Sequence, residues 1–200
     1  MSYNPVSEVV VTVGGSEGID IAMRAMLNPG DEVLIPQPSY VSYLPCAMLA
    51  DGVPVVIPLH EENKFKLTRE DLEEKITDRT KILVLPFPNN PTGSIMTKED
   101  LAPIAEVAVE HDLFVISDEI YSELTYGTDH VSIASFPGMR ERTMSSTDFQ
   151  RICHDRMAAW LCVRAGGYSG ADAQNPSVRH HVCTDQQPVC RCGGLKKLRR

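Results

Sequence analysis

A regular alternation of short apolar runs, tight turns and helically spaced stretches decides what the first three quarters of this chain can become. Val9 to Val13 is a β-branched run ending at Gly14-Gly15, and from Ser16 the residues Ile19, Ala22, Met23, Met26 and Leu27 recur on one helical face. Asn28-Pro29-Gly30-Asp31 stops that helix; Glu32 to Ile35 reads as a strand, Pro36-Gln37-Pro38 as a stiff loop, and Tyr40 to Ala50 as a helix. Val53 to Ile57, Lys81 to Leu85 and Leu113 to Ile116 are further strands, while Thr68 with Asp71 and Thr97 with Asp100 mark the starts of capped helices. Apolar strands separated by helices predict an α/β three-layer sandwich, a mostly parallel sheet covered on both faces. Functional residues in such a sheet sit in loops at the carboxyl ends of the strands.

Those loops carry specific chemistry. Gly14-Gly15-Ser16 opens a helix directly after a strand, so its amides and the positive helix end suit a phosphate; the ordinary alternative is a plain turn with Ser16 as N-cap. Asn90, in the proline-fixed loop Asn90-Pro91-Thr92-Gly93, can donate to a phenolic oxygen or simply form a turn. Asp118, ending a buried strand, can pair with a protonated ring nitrogen or cap the next helix, and Tyr121 reaches the same side if a helical turn begins there. Tyr40 can stack on a flat ring or pack in the core.

In order, Gly-Gly-Ser-Glu-Gly, Pro-Ser-Tyr-Val-Ser-Tyr, Asn-Asn-Pro-Thr-Gly and Ser-Asp-Glu-Ile-Tyr closely resemble the fold-type I class I/II aminotransferases, the aspartate and aromatic aminotransferase superfamily, over residues 8–143. The resemblance implies pyridoxal 5'-phosphate as cofactor, with its phosphate on the amides of Gly14, Gly15 and Ser16 and its ring stacked on Tyr40. It further implies Asn90 and Tyr121 at the phenolic oxygen and Asp118 at the pyridine nitrogen. The implied reaction is amino-group transfer from an amino acid to a 2-oxo acid, in a homodimer. A lyase or decarboxylase on the same cradle, and a non-catalytic remnant, are the alternatives.

The family's Schiff-base lysine is missing, so no catalytic residue is assigned. The family pattern places it just after residue 143, in a stretch similar to Asn-Gly-Phe-Ser-Lys, yet no lysine occurs between Lys98 and Lys196. Composition changes at the same point. Residues 1–143 hold 10 Lys and Arg against 23 Asp and Glu, whereas residues 144–200 hold 9 against 4, no glutamate, and all the cysteines but Cys46. A lost reading frame accounts for both. Met157 before Ala158 must be encoded ATG-GCN, so reading one nucleotide later forces tryptophan; Trp160 before Leu161 likewise forces glycine. Under that shift the codons from Ile152 to Leu161 permit Tyr-Ala-Met-Thr-Gly-Trp-Arg-Leu-Gly-Tyr, the family's continuation. A shift of two nucleotides across Met144 to Arg151 permits Val-Ile-Asn-Gly-Phe-Ser-Lys, its lysine codon straddling Gln150 and Arg151. Two single-nucleotide losses are inferred, near Thr143 and near Arg151.

The expected organisation is therefore a partial large domain over 1–143 and a frame-shifted, poorly packed tail over 144–200, with Lys196 and Lys197 solvated. The chain begins just before the first large-domain strand, so the N-terminal arm and half of the small domain are expected to be missing. The rival reading of the tail, a metal module of Cys183, Cys190, Cys192 and His180 or His181, lacks the regular zinc spacing. A disulfide framework is equally poorly supported without a secretion signal. A net charge of −8 disfavours nucleic acid as a partner. Neither a membrane span nor a secretory leader is evident, and a cytoplasmic protein is expected.

Overall fold

The computed structural model describes residues 3–4, 8–148 and 159–163, the last five and Asp148 by their backbone alone. Among them stand seven strands: β1 (Val9–Thr12), β2 (Glu32–Gln37), β3 (Val53–Pro58), β4 (Thr80–Leu85), β5 (Phe114–Asp118), β6 (Thr143–Asp148) and β7 (Ala159–Val163). They form one sheet in the order β1-β7-β6-β5-β4-β2-β3. Neighbours from β6 to β3 pair parallel, and β7 lies antiparallel between β1 and β6. Four helices, α1 (Gly15–Met26), α2 (Tyr43–Leu49), α3 (Arg69–Lys75) and α4 (Lys98–Glu110), connect the strands.

Alternation along each strand sorts the core into two halves. Leu34, Leu83, Leu85 and Val115 face one side and pack with Leu72, Leu101, Ile104 and Val107 of α3 and α4. Val33, Ile35, Ile82, Val84 and Ile116 face the other and pack with Ile19, Met23, Tyr43 and Ala47 of α1 and α2. Successive strand residues point to opposite faces, so a strand buried on both sides is apolar at consecutive positions, as Val33 to Ile35 and Ile82 to Leu85 are. The mostly parallel three-layer α/β sandwich expected from the sequence is the fold observed.

Both anticipated capping boxes form, Thr68 with Asp71 and Thr97 with Asp100, each hydroxyl accepting from the amide three residues on and each carboxylate accepting in return. The helix expected from Tyr40 begins three residues later, at Tyr43. Pro45 explains the difference. Begun at Tyr40, the helix would need an amide hydrogen at that position; begun at Tyr43, it places the proline in the first turn, where amides have no intrahelical partner. Strand β6 crosses the expected boundary at 143, and β7 lies beyond it. Ladder pairing uses backbone groups that every residue but proline supplies, so a change in side-chain text does not by itself end a sheet. Residues 149–158 and 164–200, which include the position expected for the lysine, the cysteines at 153, 183, 190 and 192, and Lys196 and Lys197, lie outside the described residues.

Candidate cofactor site

The carboxyl ends of β1, β2, β4 and β5 converge on a cavity of about 150 Å³ lined by Gly15, Ser16, Ile19, Tyr40, Tyr43, Pro88, Asn90, Asp118, Ile120 and Tyr121. Six of the seven residues singled out in the sequence line it. The seventh, Gly14, stands immediately before, as N-cap of α1 with φ +93°. An L side chain is strained in that conformation, which is the local reason for glycine. Ser16 lies inside the helix and is not its cap, so the first-turn amides keep no side-chain acceptor of that kind and remain at the cavity's edge. A Cβ added at Gly15 would meet nothing within 4 Å. That is open space at a helix start, where backbone amides and the helix dipole together favour an anion.

The Ser16 hydroxyl lies 3.3 Å from the Tyr40 phenol and 3.2 Å from the Ser42 hydroxyl. Hydrogen bonding to the Tyr40 phenol by Ser16, and after it by Ser42, holds that phenol below its ordinary pKa. Tyr40 is 37% exposed and its ring meets Tyr43 edge-on at 5.8 Å, so it stands at the rim of the cavity and not in the core.

Asp118 closes the inner end. It is buried at the end of β5 and accepts from the Tyr43 phenol at 2.6 Å, the Ser146 hydroxyl at 2.5 Å and the Ile120 amide at 3.4 Å. It caps no helix: the next turn, a 3-10 turn at Ser122–Leu124, begins from Tyr121. Burial, then the neighbouring carboxylate, pushes the Tyr43 phenol far above its usual pKa, so it remains a donor. None of the ion pairs among the described residues involves Asp118. A buried carboxylate with neutral donors on its flanks and a cavity before it is complementary to a cation brought by a ligand.

Two adjacent asparagines divide the work of the β4 loop. Asn89 is buried and builds the turn: its amide group donates to the Pro38 carbonyl at 3.2 Å and its side-chain oxygen accepts from the Thr92 amide at 3.4 Å. Asn90 is thereby left to the cavity, its amide nitrogen 3.5 Å from the Tyr121 phenol, the outer limit of a hydrogen bond. The two groups therefore meet at one edge of the cavity, where each carries a hydrogen that an oxygen could accept. Tyr43, Ser42 and Ser146 are the residues that sequence reasoning overlooked. A signal existed for Tyr43, which stands three residues after Tyr40 in the stretch the sequence reads as one helix; none existed for Ser146, which meets Asp118 across the β5–β6 ladder.

A flat ring with an anionic group at one end and a protonated nitrogen at the other would complement the open helix start and the buried carboxylate that these strand ends bring together. The chain belongs to the aminotransferase class I and II family, whose model matches residues 1–148. It is 46% identical to an aspartate aminotransferase of Pyrococcus abyssi over 149 residues, which is 74% of this chain and 38% of that protein. It is 44% identical to aromatic-amino-acid aminotransferase 2 of Thermococcus litoralis, over 74% of this chain and 38% of that one. Its structure matches N-succinyldiaminopimelate aminotransferase from Mycobacterium tuberculosis with a TM-score of 0.80 and 37% identity, covering 86% of this chain and 46% of that one. The chain thus spans well under half the length of the curated relatives it matches.

Proposed function

We propose that this chain carries the pyridoxal-phosphate cradle of a transaminase, binding the cofactor without catalysing turnover. The observation that carries the reading is Asp118, a buried carboxylate without an ion-pair partner among the described residues, facing a cavity whose opposite end is the α1 start. The open space beside Gly15 and the neutral donors around Asp118 fit a phosphorylated pyridine. When bound, the cofactor supplies an electron sink for the substrate's Cα.

Everything else falls to the protein. The Gly14, Gly15 and Ser16 amides would hold the phosphate. Tyr40 would cover the ring. Asn90 and Tyr121 would donate to the phenolic oxygen, and Asp118 would keep the pyridine nitrogen protonated, its own position fixed by Tyr43. The lysine that would move the proton at Cα is absent between Lys98 and Lys196, so proton transfer has no agent here. The parent reaction we infer is transamination between an amino acid and a 2-oxo acid, and the frame losses near Thr143 and Arg151 are the inferred cause of the lysine's absence. The exposed apolar side chains of Val41, next to Tyr40 in the chain, and of Met48 and Leu49 at the end of α2 support a homodimer of the parent.

Pyridoxamine 5'-phosphate needs no covalent link and tests the cradle directly. Fluorescence titration of the full chain should show saturable binding, and Asp118→Ala should weaken it at least about tenfold, the scale of a lost buried charge-assisted contact. Equal binding by both would remove the basis of the reading. Resequencing the DNA across the codons for Arg140 to Arg164 tests the frame; an unchanged sequence would discard the two-loss account.

A further inference from the structure

Immediately behind the cofactor-facing residues lies a polar knot outside the ring cavity. Glu119 is buried, 8% exposed, yet its carboxylate points away from the cavity. One oxygen accepts from Ser117 at 3.0 Å, Ser132 at 2.6 Å and Ser145 at 3.4 Å. The other lies 3.2 Å from His130 Nε2. These partners come from β5, from both sides of the far end of the 120–131 loop, and from β6. The Glu119 backbone joins in, its amide donating to the Ser146 carbonyl at 3.0 Å and its carbonyl accepting from the Ser122 amide at 2.9 Å. Serine, histidine and a carboxylate together suggest a hydrolytic triad, but the order is wrong. The carboxylate stands between Ser132 and His130, so the histidine reaches no hydroxyl through it.

The knot's place in the chain says what it does. The loop leaves the sheet at Glu119 and returns at His130 and Ser132, and between them it carries Ile120 and Tyr121, both facing the ring cavity. The 3-10 turn that follows Tyr121 is short, and a single such turn does not hold a side chain by itself. We propose that Glu119 is a positioning residue: by tying both ends of this loop to β5 and β6, it fixes Tyr121 against the cofactor's phenolic oxygen. The inference rests on the cradle reading above. A carboxylate suits the task because its two oxygens accept from several directions at once, the serines on one and His130 on the other.

Two measurements on the full chain separate this inference from the cradle reading. In the free protein, amide hydrogen exchange at Ser122 and Leu124 should rise at least about tenfold in Glu119→Ala, as expected for loss of a hydrogen bond to a charged group, with exchange in β4 unchanged. With pyridoxamine 5'-phosphate, the same variant should bind about tenfold more weakly and shift the pH profile of the bound cofactor's near-ultraviolet absorbance, while Glu119→Gln, which keeps the serine bonds, restores both. If Glu119→Ala fails to fold, Ser132→Ala removes one tie at the loop's far end and should reproduce the exchange effect in smaller measure. Unchanged loop exchange in the folded variant overturns the proposal whatever the cofactor does. Faster loop exchange with unchanged affinity and pH profile leaves Glu119 merely structural and overturns it too. Absence of cofactor binding by the wild type, with the exchange effect present, rejects the cradle reading instead.

Discussion

Asp118 and Tyr43 show how two residues 75 positions apart become one functional group. The phenol is buried and its hydroxyl donates to the carboxylate. Tyr43→Phe removes that donor and leaves a buried acceptor short of a partner. It should destabilise the protein by about 1–3 kcal/mol, read as a lowered denaturant midpoint with an unchanged slope; an unmoved midpoint would mean the bond contributes nothing. At this scale the sequence was legible where a residue type is rare for its setting. A carboxylate ending an apolar strand, and an asparagine before proline, both stand out. Tyr43 and Glu119 did not, because a tyrosine in a helix and a glutamate after a strand look ordinary until the partners that need them are brought near. Asn89 and Asn90 are adjacent and chemically identical, and their division of labour depends on which way each side chain turns.

At the scale of elements, local rules carried most of the reading. Thr68 with Asp71 and Thr97 with Asp100 cap their helices because each pair meets a need confined to four residues. Thr97→Ala should cost about 1 kcal/mol, measured by chemical denaturation, and no loss would show the Asp100 carboxylate sufficing alone. Elsewhere an element is fixed from a distance. Glu32, buried at the start of β2, accepts from Thr77 at 2.6 Å and from Arg79 at 2.7 Å, clasping β2 to the turn that leads into β4. The Thr77 hydroxyl, and after it Arg79, hold the Glu32 carboxyl below its ordinary value despite burial. A depressed carboxylate contributes stability that is whole above the ordinary value of 4.5 and is lost as pH falls through the folded value. Glu32→Gln should therefore be about 1–3 kcal/mol less stable than the parent at neutral pH, and the gap should close as pH drops through that window. A gap independent of pH would assign the effect to packing.

The molecule as a whole depends on a strand whose sequence gave no hint of its place. In the described residues β1 pairs with β7 alone, Val9 opposite Cys162 and Thr12 opposite Ala159, and β7 in turn pairs Met144 to Asp148 of β6. The long-range order β1-β7-β6 could not be read from periodicity, since an antiparallel insertion is a property of the assembled sheet and not of any segment within it. A stop codon after Asp148 should leave β4 and β5 protected in hydrogen exchange but expose the amides of Val9 to Thr12. If β1 stayed protected without β7, its pairing in this sheet would be incidental.

That dependence runs in both directions. The Gly14–Gly15 turn hangs from the end of β1, so an anion seated on the α1 amides grips the same strand that β7 holds in place. Two events at opposite sides of a strand cannot favour the same arrangement without favouring each other. A bound cofactor should then tighten β7, and β7 becomes a listener to the occupancy of the site.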